Sequence, residues 1–141
     1  MSKILNIGGE NYILEFGVEA ALNSECILSI TNLFSDIGMA DSKGDIRMML
    51  NGLANIPQTA LIMLYAGLQE HHGAGKNADK KVLNKESAKQ LIVKYISEHK
   101  EDESGSFAGV MAICFEVMEM DKFFSLIGLE GLIKNKAVEK L

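Results

Sequence analysis

Tryptophan is absent from this chain, and there is one proline, Pro57, and one arginine, Arg47. Scarce proline and short polar breaks weigh against a many-turned β architecture and favour helices. A single guanidinium leaves almost no means for bidentate readout of guanine or phosphate. A formal net charge of -5 likewise argues against the clustered Lys and Arg from which nucleic-acid affinity is built, so no nucleic-acid partner is expected. Cys26 and Cys114 are the only cysteines, each alone inside an apolar helical pattern. They read as small buried hydrophobes, although two distant thiols could form one disulfide in an oxidising compartment. The opening MSKILNIGGENY has no continuous apolar signal-peptide core, which makes a cytoplasmic location the expectation.

What is present is an ordinary globular composition, 48% hydrophobic and 23% charged over 141 residues. That length fits one domain, residues 1–141, burying about two-thirds of its unfolded surface. Its organising stretch is Ile56–His72, IPQTALIMLYAGLQEHH. Pro57 suits a first helical turn, where its missing N–H costs nothing. Ala60, Leu61, Ile62, Met63, Leu64, Tyr65, Ala66 and Leu68 are apolar on nearly every side, unlike the single stripe of a surface helix. The run falls short of the roughly 20 residues a membrane span requires, so a buried central helix is expected and no membrane association.

Around it, Lys3–Phe16 reads as a β-hairpin: Ile4–Ile7 mirrors the alternating Tyr12, Leu14 and Phe16 across Gly8-Gly9, whose positive φ values a tight turn demands. A two-stranded hairpin alone is marginal in water, so it must lean on helices or on strands of another subunit, and its open edges point to a homo-oligomer. Val18, Leu22, Cys26, Ile30, Leu33 and Ile37 then follow helical spacing up to Gly38, in a C-cap position. Loops are expected near 38–45, 72–84 and 99–106. Asp45 caps a short helix reaching about Ala54, and Gly52 with Asn55-Ile56-Pro57 marks a kink or turn. Asn84 caps a helix with Glu86 in its first turn and Ala88, Leu91, Ile92, Tyr95 and Ile96 on its apolar face. After a cap near Ser106, a last long helix runs from Phe107 to about Phe124, and Gly128 breaks the chain before Leu132–Leu141. The fold expected is mainly α: a compact four-to-five-helix domain with a short N-terminal β-hairpin.

Signals for chemistry are sparse. His71-His72, with His99 elsewhere, lacks the i, i+4 partners of a metal site and reads as exposed residues at a helix end. Gly73-Ala74-Gly75-Lys76 is followed by Asn77, where a phosphate loop needs Ser or Thr. No serine sits in a nucleophile elbow, and neither cysteine has a histidine nearby in sequence. No catalysis, metal or cofactor is expected. The most distinctive feature is a set of flexible thioethers and aromatics on the last helix: Met111, Phe115, Met118, Met120 and Phe123. Such residues suit surfaces that accept varied apolar partners, although a methionine stripe is usually core packing. The five are too many for one buried stripe alongside Val110, Cys114, Val117 and Phe124, so part of the set is expected to bind a partner.

Two stretches together resemble a known family. The hairpin closing in YILEFGVEAAL, leading into a helix, resembles the opening of the tail assembly chaperones of long-tailed phages and prophages. The central ALIMLYAGLQEHH resembles their LLYAGL helix, here carried by Leu64, Tyr65, Ala66, Gly67 and Leu68. The two matches cover about half of the chain. The resemblance implies a mainly helical domain with an N-terminal hairpin. It further implies a cytoplasmic, non-catalytic factor of virion morphogenesis that holds the tape-measure protein, and often tail-tube subunits, until the tube polymerises around the tape. Many such proteins are made in two lengths by a programmed ribosomal frameshift. The Met- and Phe-rich helix after Ser106 is outside the matching pattern, so no partner contact carries over to it. A small helical regulatory or adaptor protein of a phage or bacterial host is the alternative. An enzyme is disfavoured by the missing polar constellation.

Overall fold

The computed structural model describes residues 2–43 and 54–128, with only the backbone described for 34–43. Strands β1 (Lys3–Ile7) and β2 (Glu10–Leu14) pair antiparallel, Ile7 opposite Glu10 and Lys3 opposite Leu14. Gly8 and Gly9 take φ values of 61° and 80°, the two successive left-handed residues of a tight hairpin turn. The strand period of two then separates the faces. Leu5, Ile7, Tyr12 and Leu14 point into the core, whereas Ile4, Asn6 and Asn11 are exposed.

Six helices follow among the described residues: α1 (Val18–Ala21), α2 (Ser24–Lys43), α3 (Ile56–His72), α4 (Lys85–Glu98), α5 (Phe107–Met120) and α6 (Phe123–Leu126). The molecule is therefore mainly helical with a short N-terminal hairpin. Helix α3 is the hub, packing on β2, α1, α2, α4 and α5. Its buried residues, Thr59, Ala60, Ile62, Met63, Leu64, Ala66, Gly67, Leu68 and His72, lie on several sides of the helix, as its continuous apolar run requires. Leu61 and Tyr65 are half-buried. Two side-chain caps fix the later helices: Asn84 accepts from the Ser87 N–H at 2.9 Å, and the Ser106 hydroxyl accepts from the Gly109 N–H at 2.9 Å. No helix among the described residues is long and apolar enough to cross a membrane.

Three boundaries differ from the sequence reading. The helical run from Val18 to Ile37 is broken in two: Asn23 caps α2 by accepting the Cys26 N–H at 3.0 Å. Val18 and Leu22, expected on the buried stripe, lie before that cap and are exposed, Leu22 by 75%. Gly38 does not end α2, which continues to Lys43, so residues 38–43 are helix rather than loop. A glycine inside a helix costs about 1 kcal/mol relative to alanine, which weakens a helix without forbidding it. The last long helix stops at Met120, and Lys122 in the left-handed region (φ 55°) turns the chain into the separate α6. The short helix capped by Asp45 falls, apart from its end at Ala54, outside the described residues, as does Leu132–Leu141. Both cysteines are free and buried. Burial pushes the Cys26 thiol up to about 12 and raises that of Cys114 as well.

Candidate functional site

The hairpin is held to the second half of α3 by a run of main-chain donors that leave β2 and the segment after it. Ile13 N–H donates to His72 Nε2 at 2.8 Å, Glu15 N–H to the Gly67 carbonyl at 2.9 Å, and Glu19 N–H to a Glu70 carboxylate oxygen at 3.0 Å. Between them, Phe16 N–H donates to Asp121 Oδ2 at 2.8 Å, just after α5. Gly67 makes this closeness feasible. A Cβ there would fall 2.5 Å from Leu14 Cδ1 and 2.7 Å from Phe16 Cζ, well inside van der Waals contact. The two stretches that carry the resemblance, YILEFG and LYAGL, thus pack on one another as a single unit.

His71 and His72 have different roles, and the reading of both as exposed is corrected for His72, which is buried. Because Ile13 N–H is a fixed donor, His72 Nε2 is the acceptor and the ring proton resides on Nδ1. Nδ1 faces the Asp79 carboxylate at 3.0 Å. Tyr12 meets the ring edge-on, centroids 5.2 Å apart. A histidine–aspartate pair of this kind could orient a general base, but here Nε2 is filled by a backbone donor and shielded from solvent. Asp79 is in turn held by Lys81 N–H at 3.0 Å. Partial burial pushes its carboxyl up, yet the hydrogen bonds from the Lys81 N–H and from His72, together with the positive charge of Lys81, prevail and leave it below the usual aspartate value. The segment after α3 is therefore anchored: Val82 is fully buried, and its carbonyl accepts from Gln69 Nε2 at 3.0 Å. His71 lies at the surface end of the junction, 3.0 Å from Glu15 Oε1.

The five residues singled out on the last helix divide. Met118 and Phe123 are fully buried and belong to the core. Met118 completes the stripe Val110, Cys114, Val117, Met118, whose i, i+4, i+7, i+8 spacing is that of one helical face. Phe123 does not continue the register of α5, because Lys122 turns the chain first. Its ring packs edge-on against Phe16, centroids 5.6 Å apart. Met111 and Phe115 are half-buried beside that stripe, in one row with half-buried Phe107 at i, i+4, i+8. Met120, at the end of α5, is 40% exposed. The candidates left on α5 are thus the half-buried row Met111 and Phe115 and, on another side of the helix, the exposed Met120, without the two residues that the core absorbs.

Among the described residues, no group of three or more His, Cys, Asp or Glu side chains could hold a metal ion. The apolar recess between the hairpin and α5, bounded by Leu5, Leu14, Leu64, Val110 and Cys114, has about 10 Å³ of room, which is about that of one water. No protein-family model, no curated protein and no solved structure matches the chain.

Proposed function

We propose that this chain is a tail assembly chaperone of a long-tailed phage or prophage, a non-catalytic binding protein acting in the host cytoplasm. Its clients would be the tape-measure protein and, as in many such systems, tail-tube protein. The observation that supports this reading is the junction at Gly67. The two stretches that resemble the family form one packed unit, in which a glycine in LYAGL admits Leu14 and Phe16 of the hairpin.

A chaperone for a long helical client needs an apolar surface that tolerates varied sequence. Half-buried methionine and phenylalanine at helical spacing supply one, through flexible thioethers and helix-in-groove contact. Met111 and Phe115 are such residues on α5, and Met120, exposed at its end, offers a third flexible apolar side chain on another side of the helix. Co-expression with the tape-measure protein of the same locus is the test. The proposal expects the client to become soluble and to co-purify with this chain. A client equally insoluble with and without it refutes the proposal and leaves the small regulator or adaptor as the better reading.

A further inference from the structure

The hydrogen-bond phase of the hairpin shows which main-chain groups β1 turns outward. In a hairpin with a two-residue turn, the flanking residues form a hydrogen-bonded pair, and bonded and non-bonded pairs alternate from there. With Ile7 opposite Glu10, the bonded pairs are Ile7–Glu10, Leu5–Tyr12 and Lys3–Leu14, and the non-bonded ones Asn6–Asn11 and Ile4–Ile13. The other strand checks this independently. Ile13 N–H and Glu15 N–H both point away from β1, to His72 and to Gly67. Outward on β1 are therefore the N–H and C=O of Ile4 and Asn6, followed by Gly8. Gly8 N–H is taken by Glu98 Oε1 at 2.9 Å. Among the described residues, no hydrogen bond reaches the outward main chain of Ile4 or Asn6. One edge of the hairpin is closed by α3, and the other is closed, among the described residues, only at its turn end.

We propose that this edge pairs with itself: two copies of the chain join β1 to β1 antiparallel about a two-fold axis through Leu5, forming a four-stranded sheet β2–β1–β1–β2. The two outward residues lie symmetrically on either side of Leu5, so the axis sets Ile4 of each copy opposite Asn6 of the other. Both pairs are then hydrogen-bonded, four bonds in all, and the interface is isologous. The facing residues carry no like charges. Lys3 of one copy falls opposite Ile7 of the second, one position from Gly8, where the Glu98 carboxylate and the Lys94 ammonium both lie and balance one another. Of the devices that protect edges, Lys-Ile-Leu-Asn-Ile has no proline and no bulge, and its one lysine, Lys3, stands at the strand's end rather than among the outward groups. Ile4, 63% exposed, adds an apolar side chain to the new cross-strand contact. Five residues of strand bury much less than the roughly 1,200 Å² of a standard stable interface, so the dimer forms at micromolar concentration and above.

Sedimentation equilibrium of the full chain, from micromolar to near-millimolar concentration, tests this. The wild type is expected to rise with concentration from 15.4 kDa towards twice that mass. Asn6→Pro removes an outward donor and no bond of the β1–β2 ladder, so a folded Asn6→Pro should associate at least about tenfold more weakly. A second measurement stands apart from the proline. Ile4→Cys and Asn6→Cys proteins, mixed and mildly oxidised, should form the mixed disulfide in preference to either self-pair, since only that pair faces across the axis within disulfide reach. The native cysteines are buried. A single 15.4 kDa species throughout, wild-type association by folded Asn6→Pro, or no preference for the mixed disulfide would each overturn the proposal.

Discussion

Glu15 donates its main-chain N–H to the carbonyl of Gly67, 2.9 Å away in the middle of α3. A strand end rarely approaches a helix backbone so closely, because side chains hold the two apart. Here position 67 has none, and Leu14 and Phe16, both buried, occupy the place its Cβ would take.

Substitution at Gly67 should therefore destabilise, although the residue lies inside a helix where alanine is intrinsically better. Overpacking a core costs about 1–3 kcal/mol, against roughly 1 kcal/mol regained in helix propensity. Gly67→Ala is expected to be neutral to destabilising by about 2 kcal/mol, and Gly67→Val, with a larger side chain and poorer propensity, distinctly worse. In a domain of this size each kcal/mol lowers Tm by roughly 2–4 °C. Thermal melts in which both variants matched or exceeded the wild type would contradict the junction described.

The adjacent histidines should separate sharply. His72→Phe keeps an aromatic ring but leaves the Ile13 N–H without its acceptor, at a cost of about 1–3 kcal/mol. His71→Ala removes a solvent-exposed contact with Glu15 and should cost less than about 1 kcal/mol. Urea unfolding of the two variants gives the comparison. Equal losses would mean that His72 does not hold β2 as described.

Asp79 predicts a pH dependence of known sign. Its carboxyl is held below its ordinary value of 3.8, so the folded state binds the proton less well than the unfolded chain does. The stabilisation is fully present above the unfolded value and disappears as pH falls through the folded one. The stability gap between wild type and Asp79→Asn should thus be constant from neutral pH to about pH 5 and narrow below pH 4. A gap that stayed constant down to pH 2 would contradict this.

Much of this architecture is written in local chemistry. Asn84 and Ser106 each stand one residue before the first residue of a helix and do cap it, and Gly8-Gly9 can hardly be other than a tight turn. The features that escaped depend on tertiary placement or on weaker punctuation. Asn23 interrupts an unbroken helical period, and its capping role shows in sequence only as an Asn before Ser-Glu-Cys. Lys122 takes a left-handed conformation that no Lys advertises, so Phe123 appeared to extend α5 when it begins a new turn. His72 gives no sign of burial, since its partners Ile13 and Asp79 come from two other segments. The helical wheel of α5 could not show that Met118 is core whereas Met111 and Phe115 are only half covered. That distinction is made by neighbouring elements rather than by spacing.

The most direct test of the proposed function is client retention by a chain altered on α5 alone. Met111→Gln, Phe115→Gln and Met120→Gln would be combined, with Met118 and Phe123 left untouched, and the protein co-expressed with the tape-measure protein of its locus. With far-UV circular dichroism confirming that the variant is folded, the wild type should keep the client soluble and the variant should lose most of it to the pellet. Full client solubility with the folded triple variant would contradict the account and leave those three residues no part in binding.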